Sequence, residues 1–416
     1  MNILKENIDW LAASYEEKET RDLINDVMSH NLRVLCQEII KTFPGVVSIY
    51  LTGGYAASEG TVIVEDREVK LLSDYDLVVI TKGWASMASL KRSSLQKLRN
   101  IYEMPGHPIY EVFVWNIEEL DKLPPTKFLY DFQLAKCIYG EELRTTVPRI
   151  LGSEIPLTEG LRLIFNRVFG ALIPFSPSLL YTDSSVRRRR HLTFESVKLV
   201  LGSCEALLIL ESIHSLTQKE NVRLFQERLF SRFPQLPQRV PSVSKLIEQA
   251  LEYRLRPSTE AEKNALDIWF NSRDLALLTF ELFIEKLYGI RQSHLEEMIG
   301  HFIHKNPHPF IFNIMATANV WRKYRRLYFK LLYKKPSNAL LATRLYLLFS
   351  VDRDGKFDNK LLEKSRDILA EHMGIKVGRQ DPQGLWEALK QYVLQNYFDP
   401  FSPVQFSLRR QIATFF

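Results

Sequence analysis

Two aspartates stand two residues apart in an apolar run, LLSDYDLVVI, where Asp74 and Asp76 flank Tyr75. Side chains alternate across a strand, so residues at i and i+2 project from one face. Two carboxylates held side by side repel, and each raises the other's proton affinity. A divalent cation removes that cost. Carboxylate oxygens are hard ligands suited to Mg2+, which takes one or two carboxylates together with substrate phosphates. Upstream, VVSIYL leads through Thr52 into Gly53–Gly54. Glycines there tolerate positive φ and let the backbone approach a ligand closely. A third acid, Glu111, lies inside YEVFVWN, where an unpaired carboxylate is costly. If that segment neighbours the aspartate strand, three carboxylates converge. They can then bind metal or accept a proton from an attacking hydroxyl. Plainer readings exist: a solvated edge strand for Glu111, a strand-to-helix turn for the glycines, solubility for the aspartates. The unbroken LVVI after Asp76 argues for a central strand, where Asp is disfavoured and needs a compensating role.

The elements that must position these residues are legible. A helix is expected within Glu16–Thr42, closed by Pro44 and Gly45, followed by a buried strand over Val46–Leu51. Thr61–Leu72 reads as an exposed hairpin. Strands are expected over Tyr75–Thr81 and Tyr110–Asn116, and helices over Ser86–Tyr102 and Phe128–Cys137. Strands alternating with helices predict an α/β (α+β) unit with a mixed sheet over residues 1–155. After Pro156 strand signals vanish. Amphipathic stretches at Thr158–Ile173, Ser185–Ser212, Val243–Tyr253, Thr259–Tyr288 and Leu295–His304 predict a larger all-α region over residues 156–416, open to subdivision near 306.

Composition narrows the class. The 416 residues contain 46% hydrophobic and 25% charged residues, within the ordinary globular range. A formal charge of +6 is compatible with a polyanionic substrate but is weak over this length. Three cysteines with no CxxC spacing argue against a disulfide framework or thiolate zinc site and suit a reducing compartment. No signal peptide is read at the N-terminus. Leu199–Leu210 contains Glu205 and is too short to cross a bilayer of about 30 Å. A soluble, cytoplasmic protein without a membrane partner is expected, of undetermined oligomeric state.

Taken together, GGYAASEG and SDYDLVVI resemble the signature of the DNA polymerase beta-like nucleotidyltransferase superfamily. AKCIYGEEL (135–143) is similar to the segment that closes this domain in many members. A looser likeness reaches TEGLRLIFNR (158–167), the first helix of a helical domain behind some bacterial members. The resemblance implies transfer of a nucleoside monophosphate from an NTP to an acceptor hydroxyl, with Mg2+ or Mn2+ as cofactor and pyrophosphate as product. It implies Asp74, Asp76 and Glu111 as catalytic metal ligands, and Gly53 and Gly54 as phosphate-facing backbone. Ser73, Lys198 and Arg190 complete the expected nucleotide-binding set. The acceptor stays open among a small molecule, a protein side chain and RNA. The chain departs from the family pattern: Gly54 replaces the commoner Ser, Ala57–Ser58 stand where Arg–Gly is frequent, and Thr61–Leu72 is inserted. These departures motivate an alternative, a catalytically weak nucleotide-sensing or partner-binding relative. A signalling-oligonucleotide synthase is a further reading, and a toxin–antitoxin component ranks last.

Other clusters carry less. Arg187–Arg190 either lines a cleft that receives triphosphate or nucleic-acid backbone, or is a solvated helix start. Arg167 and Lys198, on amphipathic helices, could compensate for the positive charge missing near the phosphates, against the plainer reading of solvated or ion-paired helix residues. Trp321–Lys335 interleaves basic and aromatic residues, yet its spacing favours a helix with a core stripe. His301, His304 and His308 have metal-like spacing, but Pro307 breaks the helix and no HExxH pattern accompanies them.

Overall fold

The computed structural model describes residues 12, 15, 17–83, 98, 101–102, 110–182, 184–290, 294–305, 336–373, 376–378 and 380–395. Most of Ser86–Tyr102, all of Trp321–Lys335, His308 and the proposed subdivision near 306 lie outside them. Seven strands occur among the described residues: β1 (Val46–Thr52), β2 (Val62–Glu65), β3 (Glu68–Leu71), β4 (Tyr75–Thr81), β5 (Ile101–Tyr102), β6 (Tyr110–Asn116) and β7 (Lys136–Gly140). The main sheet has the order β6-β4-β1-β7. β1 runs antiparallel to both β4 and β7, while β4 and β6 are parallel, so the sheet is mixed.

β4 is central because both of its faces are covered. Leu77 and Val79 pack with Leu32, Leu35 and Ile39 of the Lys18–Thr42 helix. Val78 and Ile80 face the opposite core with Trp115, Leu120 and Phe132. That is why its sequence is a continuous apolar run rather than an alternation. Ile101–Tyr102, expected to end a helix, instead pairs in parallel with Lys70–Leu71. The Phe128–Cys137 helix is also shorter than expected. Lys127–Asp131 is α-helical, a 3-10 turn follows at Phe132–Leu134, and Lys136–Cys137 already belong to β7. There Cys137 pairs with Tyr50, so backbone pairing to β1 overrides local helical periodicity.

The Thr61–Leu72 hairpin is not the exposed excursion its charged tip suggests. Asp66 and Arg67 turn the chain with φ of 51° and 63°. Its body is buried, with Val62 and Val69 in the sheet core and Ile63 in the helical core. Beyond β7 no further strand occurs among the described residues, only an isolated bridge between Val351 and Phe357. The chain is thus α+β with a large helical part. No helix among the described residues is long and apolar enough to cross a membrane.

Helices follow the expected spans closely at Leu157–Leu172, Val186–Leu210, Val243–Leu255 and Leu295–Lys305. The Thr259–Tyr288 stretch divides at Asn264 into Thr259–Lys263 and Ala265–Tyr288. Val186–Leu210 is buried almost all round, which identifies it as the central post of the helical core. Leu157–Leu172, Val243–Leu255 and Ala265–Tyr288 pack around it. Trp269 stacks on Phe175 with ring centroids 3.7 Å apart, and its indole N–H donates to the Ala171 carbonyl at 3.0 Å. Full burial of side chains of this size contributes about 1.5–3 kcal/mol each.

Arg190 joins the two parts of the fold. Its Nε donates to Glu262 at 2.8 Å and its Nη2 to Glu65 of the hairpin at 2.5 Å. Arg190 and Glu262 are both buried, so removing the guanidinium strands a carboxylate in the interior. Arg190→Ala is expected to cost about 3–5 kcal/mol of unfolding free energy, measured by urea denaturation.

Candidate active site

The sheet register builds the site. In the parallel β4–β6 pair Asp76 stands directly beside Glu111, and in the antiparallel β1–β4 pair Thr52 stands beside Asp76. The end of β1 and the starts of β4 and β6 therefore meet at one sheet edge. Asp74, just before β4, shares the aspartate face. One carboxylate oxygen from each of Asp74, Asp76 and Glu111 falls within 4.8 Å of the others. Burial, then the charges of Asp74 and Glu111, raise the Asp76 carboxyl well above the ordinary range. Lys198 and Arg167 pull in the opposite direction. Three hard oxygen donors, two from β4 and its lead-in and one from β6, suit a divalent cation such as Mg2+ or Mn2+.

Gly53 opens the turn above this cluster, with φ of +66°. A Cβ there would sit 2.2 Å from the Asp76 Oδ2. Conformation and space both demand glycine. At Gly54 the intruder would be different: a Cβ would lie 2.6 Å from Nη2 of Arg254. The helical part therefore lays a guanidinium directly on the glycine turn. This supplies positive charge at the turn that the Ala57–Ser58 segment lacks.

Arg254 is placed by three features. Its carbonyl accepts from the Thr61 hydroxyl at 2.8 Å, at the base of the hairpin. Its guanidinium carbon lies 5.6 Å from the centre of the Phe194 ring, and the Lys198 ammonium lies 5.1 Å from that same ring. Phe194 is thus a shared platform for two cations. Burial, then the charge of Arg167, lower the Arg254 pKa, partly countered by Glu59, Tyr55 and Asp74. Neither Arg254 nor Arg167 forms an ion pair to a carboxylate among the described residues. Two mutually repelling guanidiniums thus lie beside the acidic cluster, with opposite charges brought close at the glycine turn.

Of the expected nucleotide-binding residues, Gly53, Gly54 and Lys198 gather here. Lys198 also pairs with Glu195 at 3.3 Å. Ser73 is adjacent, but its hydroxyl accepts from the Thr61 N–H at 3.0 Å and closes the hairpin base. Arg190 is committed to Glu262 and Glu65. Arg167 was expected only as a compensating cation, and Phe194 and Arg254 were not expected at all. Nothing local in the sequence marks Arg254, because its partner lies 193 positions away at Thr61.

Further contacts hold the helical wall in place. Glu59, buried beyond the glycine turn, accepts from the backbone N–H groups of Gln218 and Lys219 at 2.8 and 3.0 Å, at the start of the Gln218–Leu224 helix. Burial raises its pKa against those two donors. Lys127 bonds Asp131 at 2.6 Å and reaches Glu205 at 3.5 Å. Burial alone would raise Glu205, but Lys127, His214 and Arg167 hold it well below the usual carboxylate range. Lys198 and Glu205 are seven residues apart on one helix, so they share a face toward the sheet domain.

Comparison with protein-family models, with curated proteins and with solved structures finds no match to this chain. The reading of the site consequently rests on its own geometry.

Two outcomes test that geometry. Asp76 has a folded-state pKa raised above its unfolded value, so its contribution to stability is present at low pH and lost as pH rises through the raised value. In EDTA, the melting temperature of Asp76→Asn minus that of the wild type should grow between about pH 4 and 8. Saturating Mg2+ should shrink or reverse that gap by stabilising only the wild type, by about 2.7 kcal/mol at a hundredfold excess over Kd. Separately, Gly53→Ala should lose about 1–2 kcal/mol in chemical denaturation, because it forces a left-handed alanine. Displacement of the Asp76 carboxylate should also blunt the thermal response to Mg2+.

Proposed function

We propose that the protein is a metal-dependent nucleotidyltransferase, moving a nucleoside monophosphate from an NTP to an acceptor hydroxyl and releasing pyrophosphate. The observation that carries this reading is the register of β1, β4 and β6. It sets three carboxylates beneath a glycine turn and faces them with Arg167, Lys198 and Arg254. Acids on one wall and cations on the other, of which Arg167 and Arg254 have no carboxylate in ion-pair range among the described residues, match a substrate that arrives as a metal-bound polyphosphate. The resemblance of GGYAASEG and SDYDLVVI to the polymerase beta-like superfamily supports the same reading.

The residues divide the work. Asp74, Asp76 and Glu111 would hold Mg2+ or Mn2+, which when bound supplies charge neutralisation at the reacting phosphate. Glu111, in register with Asp76, is the acid suited to receive the acceptor's hydroxyl proton as its oxygen bonds to the α-phosphorus. The bond to the pyrophosphate oxygen breaks at the same centre. The Gly53–Gly54 backbone approaches the phosphates without side-chain obstruction. Arg254 and Lys198 stabilise the negative charge that collects on the departing pyrophosphate, while burial on Phe194 keeps both cations in position. Arg254 offsets the charge missing at Ala57–Ser58, which weighs against the weak-binder reading. The acceptor class is left to experiment: a small molecule, a protein hydroxyl or RNA.

NTP should raise the melting temperature only when Mg2+ or Mn2+ is present, and candidate acceptors should then release pyrophosphate. Asp76→Asn should abolish release without unfolding the protein. Stabilisation without turnover on any acceptor would favour the sensing relative, and no metal-dependent NTP response would overturn the assignment. Arg254→Gln is expected to weaken NTP binding by about 10- to 100-fold, the loss typical of hydrogen bonds to a charged group, while leaving the metal response intact.

A further inference from the structure

We propose that the helical part carries a second anion site, a cavity that takes a small phosphorylated molecule such as a mononucleotide or a sugar phosphate. The cavity has a volume of about 420 Å3 and lies among the Pro177–Leu180 turn, the start of the Val186–Leu210 helix and the start of the Ala265–Tyr288 helix. Arg188, Arg189, Lys263 and Arg353 line it, and Asp267 is the sole acidic residue among its lining. Leu179, Leu192 and Phe270 supply an apolar wall.

The charges are unevenly matched. Arg353 is shared between Asp267 at 3.4 Å and Asp274 at 3.9 Å, and Lys263 pairs with Glu260 at 2.8 Å in an exposed contact of little strength. Arg188 has no carboxylate within ion-pair distance among the described residues, and its Nε donates only to the Pro174 carbonyl at 3.3 Å. Lys390, buried and outside the lining, donates its ammonium to the Phe175 carbonyl at 2.6 Å and stands near both Glu387 and Arg188. Burial lowers Lys390 to about 8, a shift that Glu387 opposes and Arg188 reinforces. A concave site with excess cationic charge and an apolar wall selects a ligand with both a phosphate and an organic body. Its volume lies within the range of small-molecule sites and is too small for a folded partner or a polymer.

The cavity is separate from the carboxylate cluster. Arg188 and Lys198 stand ten residues apart on one helix, about 15 Å along its axis. Arg190, between them in sequence, is neutralised by Glu262 and Glu65. The inference therefore does not depend on the transferase reading and is tested without metal or NTP.

The experiment is calorimetric titration of the full chain in EDTA with AMP and with glucose 6-phosphate, using adenosine and glucose as uncharged controls. At least one of the phosphates should bind saturably and its uncharged counterpart should not. Arg188→Glu or Lys263→Glu should weaken that binding at least about tenfold, as loss of a charge-assisted contact does, with the melting temperature unchanged. Asp76→Asn should leave the affinity as it is. Binding to the nucleotide alone or to the sugar phosphate alone would fix the ligand class. Any other pattern overturns the proposal, in particular no saturable binding, or binding lost in Asp76→Asn and kept in both charge reversals.

Discussion

Like charges held at one sheet edge are the constraint from which the rest of the structure follows. The pleat sends Asp74 and Asp76 to the same side, and parallel pairing brings Glu111 into line with Asp76. Such a cluster is unfavourable alone, as the raised proton affinity of Asp76 records. The sheet tolerates it because β4 is anchored on both faces by apolar packing. The helical part answers with positive charge that is itself insufficiently paired. The two walls each carry an electrostatic deficit, and each deficit is the complement of the other.

That complementarity depends on how the helical wall is fixed. Phe194 supports Lys198 and Arg254 from beneath, so a single buried ring sets the spacing of two cations. Thr61 anchors Arg254 through its backbone carbonyl, leaving the guanidinium free to face Gly54. The hairpin, whose charged tip suggested a loop in water, places Ile63 in the helical core and offers Glu65 to Arg190. The hairpin between the glycines and the aspartates thus serves as the joint that ties them to the opposite wall.

Much of this was legible in the sequence, for identifiable reasons. The acids were readable because a period of two is unambiguous inside an apolar strand, and the glycine pair because it follows a β-branched run. Long helices such as Val186–Leu210 declared themselves through sustained periodicity, with ends set by prolines and polar caps. Short elements were not readable. Phe128–Cys137 mixes helix and strand residues, and only pairing of Cys137 with Tyr50 decides the matter. Arg190, expected at the nucleotide, instead pairs with Glu262 and Glu65, and Arg254, for which nothing was expected, faces the glycine turn. Basic residues abound on the helices, and which one meets a carboxylate and which meets a glycine is settled by contacts far apart in sequence. Glu262, which captures Arg190, stands 72 positions from it.

Glu59 offers a final lesson about architecture. A buried carboxylate a few residues past the glycine bend caps a helix of the other half, so the loop that would cradle the substrate is also structural mortar. The halves are consequently poor candidates for modular exchange. Grafting a foreign helical region behind this sheet, or expressing the sheet alone, would leave that acid without its donors and the bend without its cation. The sheet and the helices are mortised into one another at this bend rather than set side by side.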